Sequence, residues 1–193
     1  MKKIIFTSIC LWGFILPITT FAQAKASEYK LSDSIKISGN EHWDYLTTDD
    51  STGRVFISHG NEVQVLDEKT KKIIATIPDT KGVHGIAIAN DLNKGFISDG
   101  KDSAVTIFDL KTLKTITKVP VTGQNPDCIL YDTFTQRVFV FNGRSDNCTI
   151  IDAKTNKVIG TLFLEGRPEF AVSDGQGKIF VNLENINAIC EIN

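Results

Sequence analysis

The chemistry this chain can offer rests on a few residues that stand apart from otherwise repeated surroundings. His42, Trp43 and Asp44 are adjacent; His59 and His84 follow, then Asp127, Arg144 and the pair Arg167 and Glu169 on either side of Pro168. Histidine and carboxylate side chains can act as general acids or bases when their environment tunes them toward neutrality. Trp43 can serve either as packing or as a platform under a ligand, His84 either as a turn cap or as a ligand contact, and Arg167 can neutralise Glu169 locally. The three histidines lack the close spacing of zinc ligands. Aspartate-rich turns such as 49–53 lack the spacing of a calcium loop and read as ordinary turns. The chain has no Gly-x-Ser-x-Gly elbow, no Walker loop and no Gly-x-Gly-x-x-Gly after a strand. The sequence therefore predicts no catalytic constellation, no metal and no cofactor.

The elements that must position these residues are written four times after residue 40. Phe56, Phe96, Phe139 and Phe180 sit in segments of the Val-Phe-Ile-Ser type, spaced 40, 43 and 41 residues apart. Asp67, Asp109 and Asp152 each close an apolar strand, at spacings of 42 and 43. A period in this range with only strand-like segments inside it predicts an all-β chain, a β-propeller of four-stranded antiparallel blades.

Aligned by eye, the units open at His42, Val83, Asn125 and Arg167, which sets Cys128 with Tyr45, Ile86 and Phe170 as a small core residue. Strand a leads through a turn rich in Asp, Asn and Gly, residues that accept turn geometry, into the phenylalanine-bearing strand b. Strand c alternates, as in Val63-Gln64-Val65-Leu66, and a turn of the form Asp-x-Lys-Thr-x-Lys leads to strand d. The lysines at these edges discourage sheet-to-sheet association. The predicted organisation is a leader over 1–22 and repeats over 23–193, with blades at 42–81, 82–123 and 124–166 and a partial blade at 167–193.

Residues 29–38 match a strand d with no a, b or c before them, and the last unit supplies a, b and c only. The leading strand is expected to complete the last blade. Either four blades close a ring, or the sequence is the first part of a larger propeller; the second is preferred, because a closed ring would end abruptly on its last sheet strand.

Lys2 and Lys3, the apolar run 4–18 and the small residues around Ala22 and Ala24 read as a secretory signal cleaved near Ala22, and so predict a periplasmic or secreted protein rather than an integral membrane protein. The net charge is −2 and no Lys/Arg cluster is present, so nothing points to nucleic acid as a partner. Beyond the leader, Cys128, Cys148 and Cys190 are an odd set at irregular spacing, not a disulfide framework, although a Cys128–Cys148 bridge within one blade is compatible with export. Asn147-Cys148-Thr149 fits a glycosylation sequon but falls in a strand.

The combination of Val-Phe-Ile-Ser at 55–58, the run from Val63 to Pro78 and Gly82-Val83-His84-Gly85-Ile86-Ala87-Ile88 resembles the YVTN-repeat β-propellers, the YncE-like group. Thr155-Asn156-Lys157-Val158-Ile159 is close to the turn of that family, whereas the first two repeats lack the proline found at Pro126 and Pro168. The resemblance spans about residues 29–193 and implies an exported propeller, typically of seven blades. Related propellers include lactonases and quinoprotein dehydrogenases; a lactonase would use His84 or Glu169 as general base at the channel mouth.

Antiparallel alternation brings the d–a and b–c loops to one face, where function tends to reside on a rigid scaffold. That face is expected to collect His42, Trp43, Asp44, His84, Asp127, Arg167 and Glu169, with His59, Asp99, Arg144 and Asp146 from the b–c loops. The ligand-binding candidates are Trp43, His84, Arg167, Glu169, His42, Asp44, His59 and Arg144, with His42 and His59 read as solvated loop residues. The leading expectation is a non-enzymatic exported binding module that holds a peptide, a protein or a small ligand on this face; the rival is a lactonase-like or quinoprotein-dehydrogenase-like enzyme.

Overall fold

Val, Ile, Phe and Thr at alternate positions favour a pleated, half-buried surface, and the chain folds accordingly. The structure, a computed structural model, describes residues 29–39 and 42–193. The expected leader and its cleavage site near Ala22 lie outside the described residues. The chain divides into two units, 1–34 and 35–193. In the first, residues 29–34 form no strand.

The second unit holds the sheets. Sheet 1 comprises β1 (Trp43–Asp49), β2 (Arg54–His59), β3 (Glu62–Asp67) and β4 (Lys72–Ile77). Sheet 2 comprises β5 (Val83–Ala89), β6 (Lys94–Asp99), β7 (Ala104–Asp109) and β8 (Thr115–Pro120). Sheet 3 comprises β9 (Pro126–Asp132), β10 (Arg137–Asn142), β11 (Asn147–Asp152) and β12 (Lys157–Phe163). Sheet 4 has three strands, β13 (Pro168–Ser173), β14 (Ile179–Leu183) and β15 (Ala188–Ile192). All pairings are antiparallel and sequential, the pattern of propeller blades.

Three apolar layers hold the sheets in order. Phe56, Val63, Val65 and Ile77 of sheet 1 pack with Val83, Ile86, Ile97 and Phe108 of sheet 2. Ala87, Phe96, Val105 and Ile107 of sheet 2 pack with Ile129, Tyr131, Val138 and Val140 of sheet 3. Cys128, Phe139, Phe141 and Cys148 of sheet 3 pack with Ala171, Ile179, Val181 and Leu183 of sheet 4. Burying one such side chain contributes about 1.5–3 kcal/mol. Cys128 and Cys148 are free thiols in this layer rather than a bridge, and burial pushes the Cys128 thiol up to about 12.

The expected closing strand is not formed. Residues 29–39 belong to no strand, and sheet 4 stops at β15. A strand is fixed by its ladder, and residues 29–36 are exposed and pair with no described strand; on the face of sheet 4 turned away from sheet 3, Phe170, Val172 and Ile189 are exposed, and no further sheet among the described residues stands against it.

The strand c to strand d turns are closed as their composition suggests. Asp67 accepts from the Thr70 amide and hydroxyl at 2.7 and 2.6 Å, and Asp152 does the same for Thr155 at 2.7 and 2.8 Å. Asp109 accepts from the Thr112 amide at 2.6 Å. At the a–b turn of sheet 3, buried Asp132 accepts from the Thr135 amide at 2.8 Å, the Thr135 hydroxyl at 2.6 Å and, across the sheet boundary, the Ser173 hydroxyl at 2.6 Å.

Burial acts upward on the Asp132 carboxyl, but the hydrogen bonds from Ser173 and Thr135 outweigh it and hold the group below the usual aspartate range. A carboxylate depressed on folding contributes stability above its unfolded value, near 3.9, that is lost as pH falls through its folded value. Asp132→Asn is expected to cost about 1–3 kcal/mol at pH 7. The gap to the parent protein should narrow steadily in urea titrations taken below about pH 4.

Candidate functional site

Every sheet opens with the same irregularity. The register of strand a against strand b shifts between Trp43 and Leu46, Val83 and Ile86, Pro126 and Ile129, and Pro168 and Ala171. A bulge of this kind re-aims a side chain. The pairs flanking it fix the equivalence of the sheets: Leu46, Ile86, Ile129 and Ala171 occupy one position, opposite Ile57, Ile97, Val140 and Val181. The first bulged residue is therefore Asp44, His84, Asp127 and Glu169 in turn. This corrects the alignment by eye in the second unit by one residue: Gly85, not Ile86, shares the position of Tyr45, Cys128 and Phe170. The shorter first period, 40 residues between Phe56 and Phe96, is the source of the slip.

Serines lock this register. Ser58 donates to the carbonyl of His84, and its counterpart Ser98 donates to the carbonyl of Asp127 at 2.6 Å. One strand b thus clamps the bulge of the next sheet. Gly85 is required beside it, because a Cβ there would stand 3.0 Å from the Asp127 carbonyl and 2.9 Å from Ile129 Cγ2.

The result is a row of ionisable groups, one from each sheet. His84 Nδ1 lies 2.6 Å from Asp44 Oδ2 and 3.9 Å from Asp127 Oδ1. Its opposite edge rests on Gly100, where a Cβ would come within 2.7 Å of Nε2. Burial lifts the Asp127 carboxyl above its ordinary value; the His84 charge acts downward and the Asp44 charge upward. Burial, then the charges of Asp127 and Glu184, hold Glu169 above the usual glutamate range.

A depression of about 630 Å³ opens beside the row. His42, Trp43, Asp44, His84, Lys101 and Arg144 line it. Trp43 stacks on His59 with ring centroids 4.0 Å apart. His59 is buried, not a solvated loop residue, and its Nδ1 faces Gln64 Nε2 at 3.3 Å and Glu62 Oε1 at 3.4 Å. The sequence candidates thus divide. His42, Trp43, Asp44, His84 and Arg144 meet around one depression, and His59 supports Trp43 from below. Glu169 continues the row on sheet 4. Arg167 departs from expectation: its guanidinium pairs with Glu184 at 2.7 Å instead of chiefly serving Glu169.

Sequence reasoning missed Glu184 and a second cluster. Lys118 of β8 reaches Asp102 at 2.9 Å, Asp79 at 3.4 Å and Asp99 at 3.6 Å. Asp99 is fully buried at the end of β6 and accepts from Thr106 at 2.6 Å. Its register equivalents are His59 and Asn142, the partners of Trp43 and Pro126 as Asp99 is of Val83. Among the described residues no group of three His, Cys, Asp or Glu side chains stands close enough to hold a metal ion.

No family model matches the chain. Antigen Lp49 of Leptospira interrogans serogroup Icterohaemorrhagiae serovar copenhageni is 33% identical over 86 residues, which is 45% of this chain and 19% of that protein. Among solved structures, Kuenenia stuttgartiensis hydrazine synthase matches at a TM-score of 0.74 with 14% identity, over 86% of this chain and 49% of that one. U3-55K and the RRP9 WD40 repeats each match at 0.65 with 10% identity, over 80% of this chain. The chain spans 53% and 52% of their lengths, and so about half of each solved relative. These likenesses establish the fold, a partial β-propeller of four-stranded blades.

Burial lifts the Asp99 carboxyl to about 7, against the downward pull of Thr106 and Lys118. The folded chain keeps this proton to about pH 7, whereas the unfolded chain releases it near 3.9, so stability falls as pH rises between the two. Sheet 3 carries the neutral solution at this position, with Asn142 donating to Thr149 at 2.9 Å. Asp99→Asn should therefore raise stability by about 2 kcal/mol at pH 8, with the gain shrinking toward pH 5 in parallel denaturant titrations.

Proposed function

We propose that this is an exported β-propeller binding protein of the YVTN-repeat kind, whose ligand sits at the channel mouth and presents a cationic group to the row Asp44, Asp127 and Glu169. The observation that supports it is the shared bulge, which delivers one ionisable side chain from each sheet to the same line. Asp127 and Glu169, both raised by burial and by neighbouring carboxylates, gain from a cation placed beside them. Trp43, stacked on His59 and 46% exposed, offers the face on which such a group rests by cation–π attraction. Arg144 and Lys101 on the rim suit an anionic or carbonyl end of the same ligand. Short peptides with a free amine or a lysine or arginine side chain combine these features.

The test is calorimetric titration with tripeptides that differ only in side-chain charge. Cationic peptides are expected to bind, more weakly as salt is raised. Asp127→Asn and Trp43→Ala should each weaken binding by about tenfold or more, a change of roughly 1.4 kcal/mol. Binding confined to acidic peptides, or untouched by both substitutions, would remove the site from this role.

The Asp44–His84 pair supports one further reading, since a carboxylate on one imidazole nitrogen is how a general base is oriented. Turnover of lactones that Asp44→Asn suppresses would favour that enzyme reading over simple capture.

Export is proposed from the sequence around Ala22, which supports a mature chain that is periplasmic or secreted. Amino-terminal sequencing of the native protein should begin at Gln23 or nearby; a retained Met1 would contradict it.

A further inference from the structure

Lys118 stands where two loops of sheet 2 meet, and every hydrogen it can donate is taken. A lysine ammonium carries three donors. Its Nζ donates to the Asp79 carbonyl at 2.6 Å, to Asp102 Oδ2 at 2.9 Å and to Asp79 Oδ2 at 3.4 Å. Asp99 Oδ2 lies 3.6 Å from the same nitrogen and accepts instead from the Thr106 hydroxyl at 2.6 Å. Asp99 Oδ1 is buried without a partner. Asp79 belongs to the loop 78–82 before β5, and Asp102 to the loop 100–103 after β6. The two loops are also joined through their backbones: the Gly100 amide donates to the Gly82 carbonyl at 2.9 Å, and the Lys101 amide to the Lys81 carbonyl at 3.1 Å. Gly82, Gly100, Lys101 and Ser103 form one wall of the depression, and the His84 imidazole rests on Gly100.

Sheet 3 repeats this corner without charge. By register, Asn142 takes the place of Asp99, Thr149 that of Thr106 and Thr161 that of Lys118. Thr122 takes the place of Asp79, each being the second residue after strand d. Thr161 donates to the Thr122 hydroxyl at 2.8 Å, Thr122 meets the Thr149 hydroxyl at 2.8 Å, and Asn142 donates to Thr149 at 2.9 Å. The loops carry the same backbone bonds, from the Gly143 amide to the Asn125 carbonyl at 3.0 Å and from the Arg144 amide to the Gln124 carbonyl at 3.2 Å. The frame is common to both sheets, and only sheet 2 fastens it with charged groups.

We propose that Asp99 and Lys118 form a proton-controlled latch on this wall of the depression. With Asp99 neutral, all three donors of Lys118 bind the two loops, and the wall is fastened. An ionised Asp99 is a buried charge that must be paired, and Lys118 is the cation beside it. Pairing draws one N–H away from the loops, first from Asp79 Oδ2, the longest of the three bonds. Loop 78–82 then loosens against loop 100–103. Burial lifts the Asp99 carboxyl to about 7, so the change falls near neutrality. Lys118 stays charged across it: burial acts downward on the ammonium, but Asp102, Asp99 and Asp79 outweigh it. The other charged groups at the corner are Lys81, 3.7 Å from Asp102, and His84 beyond Gly100. The latch concerns the wall itself; it goes beyond the binding reading and does not depend on what the depression holds.

Amide hydrogen exchange on the full chain, followed residue by residue by NMR, is the test. Protection of the Gly100 and Lys101 amides is taken as a ratio to that of their sheet 3 equivalents, Gly143 and Arg144, which cancels the intrinsic dependence of exchange on pH. Between about pH 5.5 and about pH 8.5 the ratio is expected to fall by about tenfold or more, with its midpoint near neutrality. Asp99→Asn, which copies Asn142, should hold the ratio flat and high. Lys118→Met, which keeps the apolar stem and removes the donors, should hold it flat and low. A parent ratio that does not move with pH overturns the inference. A fall that persists in Asp99→Asn overturns it as well, by assigning the response to His84 or another group. So does a Lys118→Met ratio that stays high or still follows pH.

Discussion

Phe56 and its counterparts Phe96 and Phe139 reach from one sheet into the layer shared with the next, and the rest of the molecule is arranged around that contact. A four-stranded sheet with two apolar faces cannot stay folded alone; each needs a neighbour on both sides. Here three such contacts are made internally. Because each is the same contact repeated, the sheets follow one another by nearly the same rotation. Their first strands consequently fall side by side along the channel: Tyr45, Ile86, Ile129 and Phe170 line one continuous groove.

The row of ionisable groups inherits its spacing from this stacking. Asp44, His84, Asp127 and Glu169 are neighbours in space although about forty residues separate each from the next. The bulge turns each side chain out of the pleat, and the serine of the previous sheet pins the backbone beneath it. The interaction that stabilises the core and the one that aims the site therefore share atoms. Loosening the Ser98–Asp127 hydrogen bond would disturb the layer between sheets 2 and 3 and the aim of Asp127 together.

Much of the architecture was readable in the sequence because it rests on local rules written several times. The phenylalanines marked strand b, and the Asp-Thr turns marked the passage from c to d; the hydrogen bonds of Asp67, Asp109 and Asp152 are the ones their spacing implies. The site was only half legible. His84 was singled out as unusual, yet its partnership with Asp44 was hidden by a one-residue misalignment that only the strand pairing resolves. Arg167 with Glu184, and Lys118 with Asp79, Asp99 and Asp102, connect residues brought together by folding across hairpins and sheets, and no spacing rule announces them. His59 read as loop because its apolar environment comes from Trp43, an aromatic on a different strand. The leading strand's failure to close the last sheet has the same origin: the sequence shows that the segment is strand-like, but the stacking decides whether a sheet edge is within its reach.

The two ends of each sheet differ in a way that bears on where function lies. At the end away from the mouth the chemistry is monotonous. Strand b begins with a base in the first three sheets; Arg54 donates to the Leu110 carbonyl at 2.6 Å and Lys94 to the Ala153 carbonyl at 2.8 Å, equivalent atoms of the following sheet. The Asp-Thr turns repeat there too. At the mouth end the same backbone carries different groups: His59, Asp99, Asn142 and Leu183 close strand b, and Asp44, His84, Asp127 and Glu169 fill the bulge. Packing alone would be served by one residue type at each of these positions, as the other end demonstrates. Fully buried Asp99, held near neutrality by its surroundings, is a costly choice where Asn142 performs the same structural task. Uniform chemistry where the sheets are tied together, and varied, electrostatically expensive chemistry where they open, is the distribution expected when a single scaffold contact is repeated for stability, and it accords with the binding role proposed for the mouth.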